Sequence, residues 1–403
     1  MLKINLPVLL VAILAMACTS SPIARFSLEN RGVERKNSPL LINLEKTLPA
    51  GSNYELVNEA TGRAFPAQVL ESGQLLVFID SMGAETAANY ALRQTDDEMK
   101  SQQAPSINVT GEGVEISIAG SPVLFYQTAT AYPEEGLPDY YKRSGMIHPL
   151  YSPEGQVLTD AFPAGHTHQH AVFNAWVNTR FKGEKVDFWN QHQETGTVEH
   201  VELNHVESGS NTALFESILS HISLKDGEVL EEKWRVMVYP VSDYYLFDLY
   251  SEQTNTSSDT LHILEYHYGG MGFRGSQEWN EVDTLNYTNS WNILTSEGFT
   301  NENANHTDAA WVAAYGEVEG KTAGSTIFGF PDNFRYPQPI RVHPTMPYWV
   351  YAPMVNEGFY IAPGEKFKSS FRYYVHQGEP DEKVIESIAN DLKNPILVNI
   401  LDQ

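Results

Sequence analysis

Short apolar runs that alternate with polar residues recur along nearly the whole chain, and this pattern limits the fold more than any other feature of the sequence. Trp234, Val236 and Val238 would point to one side of a strand and the intervening residues to the other. Residues 225–228, Lys-Asp-Gly-Glu, are typical of a hairpin turn, because Asp-Gly supplies the positive φ angles that such a turn needs. The pattern therefore predicts an all-β protein with antiparallel sheets.

One segment has helical spacing, and one polar stretch divides the chain. Residues 381–392 place apolar side chains at helical intervals after Pro380 and predict a short C-terminal helix. A polar stretch interrupts the strand pattern once and predicts a linker. The expected organisation is a small β-sandwich of about six strands followed by a large antiparallel β-sandwich and the helix. The boundaries are a signal peptide at 1–18, the small sandwich at 19–93, the linker at 94–106, the large domain at 107–378, and the helix and tail at 379–403.

The N-terminal segment predicts export. Lys3 precedes an apolar stretch that ends in small residues, as in a signal peptide, and Cys18 follows it in a sequence that resembles a lipobox. Lipidation of Cys18 would anchor the protein in the periplasm or outer membrane of a Gram-negative bacterium; an ordinary secretory signal is the alternative. Because Cys18 is the only cysteine in the chain, the mature protein can form no internal disulfide.

The charge balance excludes one class of partner. The chain has 26 Lys and Arg against 51 Asp and Glu, for a formal net charge of −25. Such a surface repels phosphate backbones and anionic membranes. Nucleic acid is therefore not an expected partner, and a membrane is expected only through the lipid anchor.

A run of alternating histidines is the first candidate site. On an extended backbone, His166, His168 and His170 would share one face. Imidazoles titrate near neutrality and bind divalent metals, so the run could hold a metal ion or perform acid–base chemistry at His168 and His170. The alternative is that these rings only bind loop backbone.

The next segment offers aromatic and carboxylate side chains. Asn174, Trp176 and Trp189 are candidates for substrate binding, because indole rings stack on sugars, although tryptophan in a strand is as often core. Asp187 lies between apolar neighbours. It is either a carboxylate with a raised pKa or the cap of a turn.

A second segment rich in titratable side chains lies at residues 265–274. Glu265 and His267 would share a strand face, Tyr268 follows them, and the glycines of the segment allow close backbone approach. His267 or Tyr268 could act as base and acid, and Arg274 could pair with a carboxylate or sulfate. A glycine-rich bulge with Arg274 in a structural ion pair is the alternative.

These motifs resemble those of the bacterial family labelled PmoA-like, or methane oxygenase PmoA, over about residues 25–378. Members commonly accompany glycan-degrading enzymes, so the resemblance implies a setting rather than a reaction. Four positions depart from the family pattern: Gly165, Thr167, Gln169 and Ala171. The matching positions are 35–39 (Arg-Lys-Asn-Ser-Pro), 66–69 (Pro-Ala-Gln-Val), His166, His168, His170, Phe173, Ala175, Trp176, 187–189 (Asp-Phe-Trp), Gly196, His200, Gly269, Gly270, Gly272, Arg274, Pro331, Asn333, Arg335, and the ending from 363–365 to His376.

Three functions are compatible with these residues. The leading expectation is a carbon–oxygen lyase, either a dehydratase or a polysaccharide lyase, that acts on acidic oligosaccharides such as those of the marine algal polysaccharide ulvan. Elimination needs a base and a positive group, which the histidines with Arg274 could supply, and Arg335 would add a substrate contact. A glycoside hydrolase that uses Asp187 and Glu265 is the second hypothesis. The third is a surface glycan-binding lipoprotein without catalysis.

Overall fold

The structure is a computed structural model that describes residues 21–96 and 103–402. Cys18 and the signal segment lie outside the described residues. Within them the chain forms four antiparallel sheets and a single α-helix, so the predicted all-β class is confirmed.

The strands are short and follow one another closely. Those of the N-terminal unit are β1 (Ala24–Glu29), β2 (Arg35–Ile42), β3 (Tyr54–Asn58), β4 (Ala64–Val69), β5 (Leu75–Met82) and β6 (Ala87–Gln94). Those of the large unit are β7 (Pro105–Val109), β8 (Gly113–Ile118), β9 (Ser121–Gln127), β10 (Met146–Leu150), β11 (Val172–Trp176), β12 (Thr179–Phe181), β13 (Glu184–Val186), β14 (Gly196–Ser208), β15 (Ala213–Ser223), β16 (Gly227–Val238), β17 (Tyr245–Asn255), β18 (Leu261–Ile263), β19 (Gly269–Arg274), β20 (Trp291–Thr295), β21 (Asp308–Ala309), β22 (Trp311–Val318), β23 (Lys321–Gly329), β24 (Gln338–Val342), β25 (Tyr348–Tyr351), β26 (Phe359–Ile361) and β27 (Lys366–Gln377). The chain ends with α1 (Glu382–Lys393) and β28 (Leu397–Asp402).

The N-terminal unit is one sheet rather than the predicted sandwich. Among the described residues its strand order is β2-β5-β4-β3-β6-β1-β28, around an apolar cluster of its own. The C-terminal strand returns to this sheet, where Phe26 of β1 lies opposite Ile400. This pairing satisfies backbone groups along β1 that would otherwise form an open sheet edge.

The large unit is a β-sandwich. A nine-stranded sheet, β21-β24-β25-β19-β11-β10-β9-β8-β7, and an eight-stranded sheet, β14-β15-β16-β17-β27-β23-β22-β20, contribute to the same apolar core in the described part of the chain. A four-stranded sheet, β13-β12-β18-β26, adds to that core. The predicted turn is present, since β15 ends at Ser223 and β16 begins at Gly227, which has a φ of 88°.

The two faces of β16 are buried against different partners. Trp234, Val236 and Val238 belong to the main core, as their alternation predicts. Met237 on the other face belongs to a second apolar cluster, which it shares with Ile385 of α1 and with residues of the N-terminal sheet. The eight-stranded sheet is therefore buried on both sides over this region.

Helix α1 begins where the sequence predicts it. The Asp381 carboxylate accepts hydrogen bonds from the backbone N–H groups of Lys383 and Val384, at 2.9 and 3.1 Å, and so caps the first turn. Arg35 of β2 donates from Nη1 to Asp391 Oδ1 at 3.0 Å, and both side chains are buried. The helix is thus fixed between the N-terminal sheet and the large unit.

Candidate functional site

The candidate site lies on the outer face of the nine-stranded sheet. Arg341 of β24 and His343 just after it are two residues apart and therefore point to the same side. Strand register places Arg341 opposite Val350, and Val350 opposite Gly272 of β19, so these share that side. Asn174 of β11 faces the other way, because it donates a hydrogen bond to the eight-stranded sheet. Arg341 and His343 thus project away from the eight-stranded sheet.

Four histidines from three separate segments meet on this face, and we call them the histidine cluster. The ring centre of His166 lies 5.4 Å from that of His168 and 5.2 Å from that of His343. The ring centre of His168 lies 5.4 Å from that of His192. The rings of His166, His168 and His343 are half-buried, and His192 is exposed at the rim of the cluster. The cluster therefore opens to solvent.

Tyr268 and Arg341 border the cluster. The Tyr268 ring centre is 6.5 Å from that of His343, and Arg341 Cζ lies 5.1 Å from the Tyr268 ring centre. Arg341 donates from Nη1 to Asn305 Oδ1 at 2.9 Å, while its Nε is buried and finds no partner among the described residues. The buried Tyr268 hydroxyl lies near the Arg341 side chain, which acts to lower its pKa, but it makes no hydrogen bond of good geometry within residues 21–96 and 103–402.

A second arginine lies beneath the cluster. Arg274 is fully buried and donates from Nη1 to Gln169 Oε1 at 2.8 Å, but its Nε and Nη2 are without partners in the described structure. Burial raises the pKa of the nearby Asp160 carboxyl to about 6, against the opposing effect of Arg274. Buried N–H groups are normally paired, so unpaired ones here indicate a place for a ligand or water.

Glycine makes room for this arrangement. A Cβ atom on Gly272 would lie 2.4 Å from the Tyr348 hydroxyl oxygen, far inside van der Waals contact. Tyr348 in turn packs against Tyr268, with ring centres 6.0 Å apart. The predicted role of the glycines in close approach therefore applies at Gly272, where it allows an aromatic ring to cross the strand.

Two imidazoles of the cluster, those of His168 and His343, are held neutral. Burial, followed by repulsion from His166, lowers the pKa of His168 to about 3, and burial with the same neighbour lowers that of His343 to about 4. The backbone N–H groups of Thr345 and Met346 lie 3.2 and 3.1 Å from His343 Nδ1, which therefore accepts, and the proton is assigned to Nε2. Burial raises the pKa of Tyr268, which keeps its hydroxyl protonated.

The prediction of an extended backbone through the first histidine run is wrong. Residues 161–171 form turns, with hydrogen bonds from His166 N to Pro163 O and from Gln169 N to His166 O. His166 and His168 still lie close together, but His170 does not share their face. His170 points into the protein and is fully buried. Its Nδ1 lies 2.8 Å from Ala161 O and its Nε2 2.6 Å from Gln191 Oε1.

This geometry corrects two roles predicted for that run. His170 cannot reach a substrate, because both ring nitrogens are engaged inside the protein. It also cannot join His166 and His168 as a third metal ligand. In residues 21–96 and 103–402, no three His, Cys, Asp or Glu side chains are grouped so that they could hold a metal ion.

Three predicted substrate contacts are also corrected, because the side chains are core residues. Asn174 donates to Glu232 Oε1 at 2.8 Å, and Trp176 Nε1 donates to Gln253 Oε1 at 2.7 Å. Trp189 is buried under the site, with its ring centre 6.2 Å from that of Tyr268. None of the three exposes a surface on which a sugar could stack.

The remaining predicted residues are dispersed. Asp187 is fully buried and caps a turn through the N–H groups of Trp189 and Asn190, although burial also raises its pKa. Glu265 is exposed. His267 is half-buried beside Tyr268, with ring centres 4.8 Å apart, and burial lowers its pKa.

Arg335 has a structural role. Its guanidinium donates to the backbone oxygens of Pro353 at 2.6 Å and Gly358 at 3.3 Å and pairs with Glu357 at 3.0 Å. It therefore fixes the loop before β26, which corrects its predicted contact with substrate.

Sequence reasoning missed several members of the site. Arg341 and His343 are far from the other motifs in the chain, and His192 and Asp160 lie outside the motifs described above. A signal existed at β24, where the polar pair Arg341 and His343 alternates with apolar Ile340 and Val342. Alternation indicated a solvent-facing side, but not which other segments would meet there.

The fold and the site together define an all-β sandwich protein with a cluster of histidines and two arginines on the outer face of one sheet. The chain belongs to a family of unknown function, DUF6807, whose profile matches residues 113–390. No curated protein matches the sequence. No helix among the described residues is long and apolar enough to cross a membrane.

Solved structures similar to this chain include two carbohydrate enzymes. An α-mannosidase from Enterococcus faecalis V583 is 11% identical with a TM-score of 0.43, and the match covers 94% of this chain. This chain spans about half, 46%, of the mannosidase. A galactose mutarotase related enzyme from Lactobacillus acidophilus is 10% identical with a TM-score of 0.30, covering 69% of this chain and 96% of that one.

Proposed function

We propose that the protein is a carbohydrate-active enzyme that performs elimination on acidic oligosaccharides, as a dehydratase or lyase. One observation supports this most directly: a chain of net charge −25 gathers two arginines and four histidines at one place. Buried N–H groups of Arg274 and Arg341 have no partner there among the described residues. An anionic sugar unit would supply the missing acceptors. Ulvan remains the expected kind of source.

The proposed reaction assigns each group a step. Arg341, which is half-buried, pairs with the carboxylate of a uronate and stabilises the charge that develops when the neighbouring carbon loses its proton. His166 or His168, both neutral, takes that proton. The Tyr268 hydroxyl gives its proton to the leaving oxygen as the C–O bond breaks and the C=C bond forms. Loss of water would make the enzyme a dehydratase, and loss of the neighbouring sugar, which leaves with a new hydroxyl group, would make it a lyase.

The low pKa values of His168 and His343 fit a site that binds an anion. Burial is the largest cause, and neighbouring imidazoles and arginines also disfavour a further positive charge, so His168 and His343 stay neutral. A bound carboxylate would reverse part of this repulsion and raise both pKa values toward the range useful for a general base. Substrate binding would thus activate the base that it needs.

The other two hypotheses have less support. A hydrolase that uses Asp187 and Glu265 would need two carboxylates beside one glycosidic bond. Asp187 instead directs both carboxylate oxygens to its own turn, since Oδ1 accepts from backbone and Oδ2 from Asn190 Nδ2 at 2.9 Å. A non-catalytic glycan-binding protein would use Arg341 equally well and is separated from the enzyme by the experiment below.

The test is incubation of the chain from residue 19 onward with a panel of acidic and neutral oligosaccharides, ulvan oligosaccharides included. Products are read by mass spectrometry and ultraviolet absorbance. We expect an unsaturated product conjugated to a carboxylate, abolished by Arg341→Ala and retained by Arg180→Ala, which alters an exposed arginine on β12. Reducing ends without unsaturation would indicate a hydrolase. Binding without any product would indicate the glycan-binding protein.

Export and lipid anchoring remain part of the proposal. Cys18 would carry the lipid, and the protein would reside in the periplasm or outer membrane. Mass spectrometry of the mature N-terminal peptide from a Gram-negative host tests this, with Cys18→Ser as the control that should abolish the lipid modification.

A further inference from the structure

A loop beside the histidine cluster exposes aromatic side chains that the proposed reaction does not use. Residues 128–145 connect β9 to β10. Tyr132 is 58% exposed and Tyr140 37% exposed. The Tyr140 ring also packs edge-on against that of Tyr141, with centres 4.6 Å apart. Two exposed tyrosines on one loop contribute nothing to the core, and flat phenol rings are suited to contact a ligand.

The loop is fixed to the turn that carries part of the cluster. Its residues 139–141 form a short 3-10 turn that packs against the 3-10 turn at 191–193. Gln191 Nε2 donates to the Lys142 carbonyl at 2.7 Å. The next residue, His192, lies against His168 in the cluster. Tyr140 and the end of the loop are therefore held at one side of the site.

The charge of the loop also acts on a buried carboxyl of the site. The Glu134 carboxylate is close enough to Asp160 to raise its pKa, and Arg274 acts on the same carboxyl in the opposite direction. Residues 131 and 143 bridge through paired backbone hydrogen bonds at the base of the loop. The loop thus borders the site at the rim, and its Glu134 acts on the same carboxyl as Arg274.

The charge of the loop differs from that of the cluster. Glu134, Glu135 and Asp139 lie between the two tyrosines, and the loop has no basic residue until Lys142. A carboxylate or sulfate would be repelled here, whereas at Arg341 it is attracted. A neutral pyranose has no such penalty, because its C–H face can stack on a phenol ring and its hydroxyls can donate to carboxylates.

We propose that Tyr132 and Tyr140 form a subsite for a neutral sugar unit next to the acidic unit. The substrate class is then an oligosaccharide in which acidic and neutral residues are joined, rather than a run of uronates. The placement of the acidic unit at Arg341 rests on the proposed function, while the contact of a neutral sugar with the two tyrosines does not.

Calorimetric titration of the chain from residue 19 onward tests the subsite without relying on turnover. The probes are tetrasaccharides of two kinds: a panel in which uronate alternates with a neutral sugar, hyaluronan included, and a panel of homouronates. We expect Tyr132→Ala with Tyr140→Ala to weaken binding of at least one mixed probe by about ten-fold or more, and to leave homouronate binding unchanged. Tyr360→Ala is the matched control, because Tyr360 is 61% exposed on β26.

Each outcome decides the matter. The subsite is overturned if the mixed probes bind the double variant as tightly as the unaltered protein. It is also overturned if homouronates lose the same affinity, or if no mixed probe binds at all. Arg341→Ala separates this inference from the proposed function. If the tyrosine double variant loses affinity for mixed probes and Arg341→Ala does not, the neutral-sugar subsite is supported and the acidic site at Arg341 is refuted. If Arg341→Ala loses affinity and the tyrosine double variant does not, only the subsite is refuted.

Discussion

A buried histidine in the eight-stranded sheet should make stability depend on pH in a calculable way. His376 of β27 is fully buried, its Nδ1 donates to Gly378 O at 3.0 Å, and its Nε2 has no partner in the described structure. Burial lowers its pKa from 6.5 to about 4. The folded state therefore binds fewer protons than the unfolded state between these values. Stability from this group is fully present above about pH 6.5 and is lost as the pH falls toward about 4.

The magnitude follows from the shift. Between pH 7 and pH 5 the unfolded state gains most of one proton at this site, which corresponds to about 2 kcal/mol at about 1.4 kcal/mol per pH unit. His376→Asn keeps a donor near the Nδ1 position and removes the titration. We expect the variant to be less stable than the unaltered protein at pH 7, and its deficit to shrink by about 2 kcal/mol at pH 5.

Urea unfolding followed by tryptophan fluorescence measures this difference, because all seven tryptophans lie within the large unit. Other groups titrate equally in both proteins and cancel. His262→Asn, which alters an exposed histidine on β18, is the matched control and should leave the pH dependence unchanged. A deficit for His376→Asn that is the same at both pH values would refute the reasoning.

Two further substitutions test packing at the site and in the core. Gly272→Ala should displace the Tyr348 ring and lower both the elimination activity and the midpoint of thermal unfolding. Gly111→Ala, whose new Cβ would meet nothing within 4 Å, is the control and should change neither. Full activity of Gly272→Ala would contradict the close approach of Tyr348 to this strand. Glu232→Leu should cost about 3–5 kcal/mol in urea unfolding, and a cost below about 1 kcal/mol would show that the buried carboxylate is dispensable. The donors left unpaired by that change are Asn174, His221, Trp234 and Ser251.

Much of the fold was predictable because its signals are local. The alternation around Trp234, the turn ending at Gly227 and the helix capped by Asp381 each depend on a few neighbouring residues, and the structure confirms all three. The return of β28 to the N-terminal sheet was not predictable in this way. That pairing joins residues more than three hundred positions apart and depends on which edge is open after folding.

The site was only partly predictable, for the same reason. Tyr268, Arg274 and His168 were recognised because they stand in dense polar segments. The expected alignment of the histidine run failed because turns at residues 161–171 replace the assumed strand, and a turn changes the direction of each side chain. Arg341 reaches Tyr268 only through the neighbouring positions of β24, β25 and β19 in the sheet.

The turn at residues 187–192 shows how a motif can serve a site without contacting a substrate. Asp187 caps the turn, which holds Trp189 beneath Tyr268. Gln191 then binds both His170 and the base of the tyrosine-bearing loop, and His192 follows in the cluster. This one short segment therefore contacts the core, the histidine cluster and the tyrosine-bearing loop. Residues that are themselves too buried to react therefore determine where the reactive ones stand.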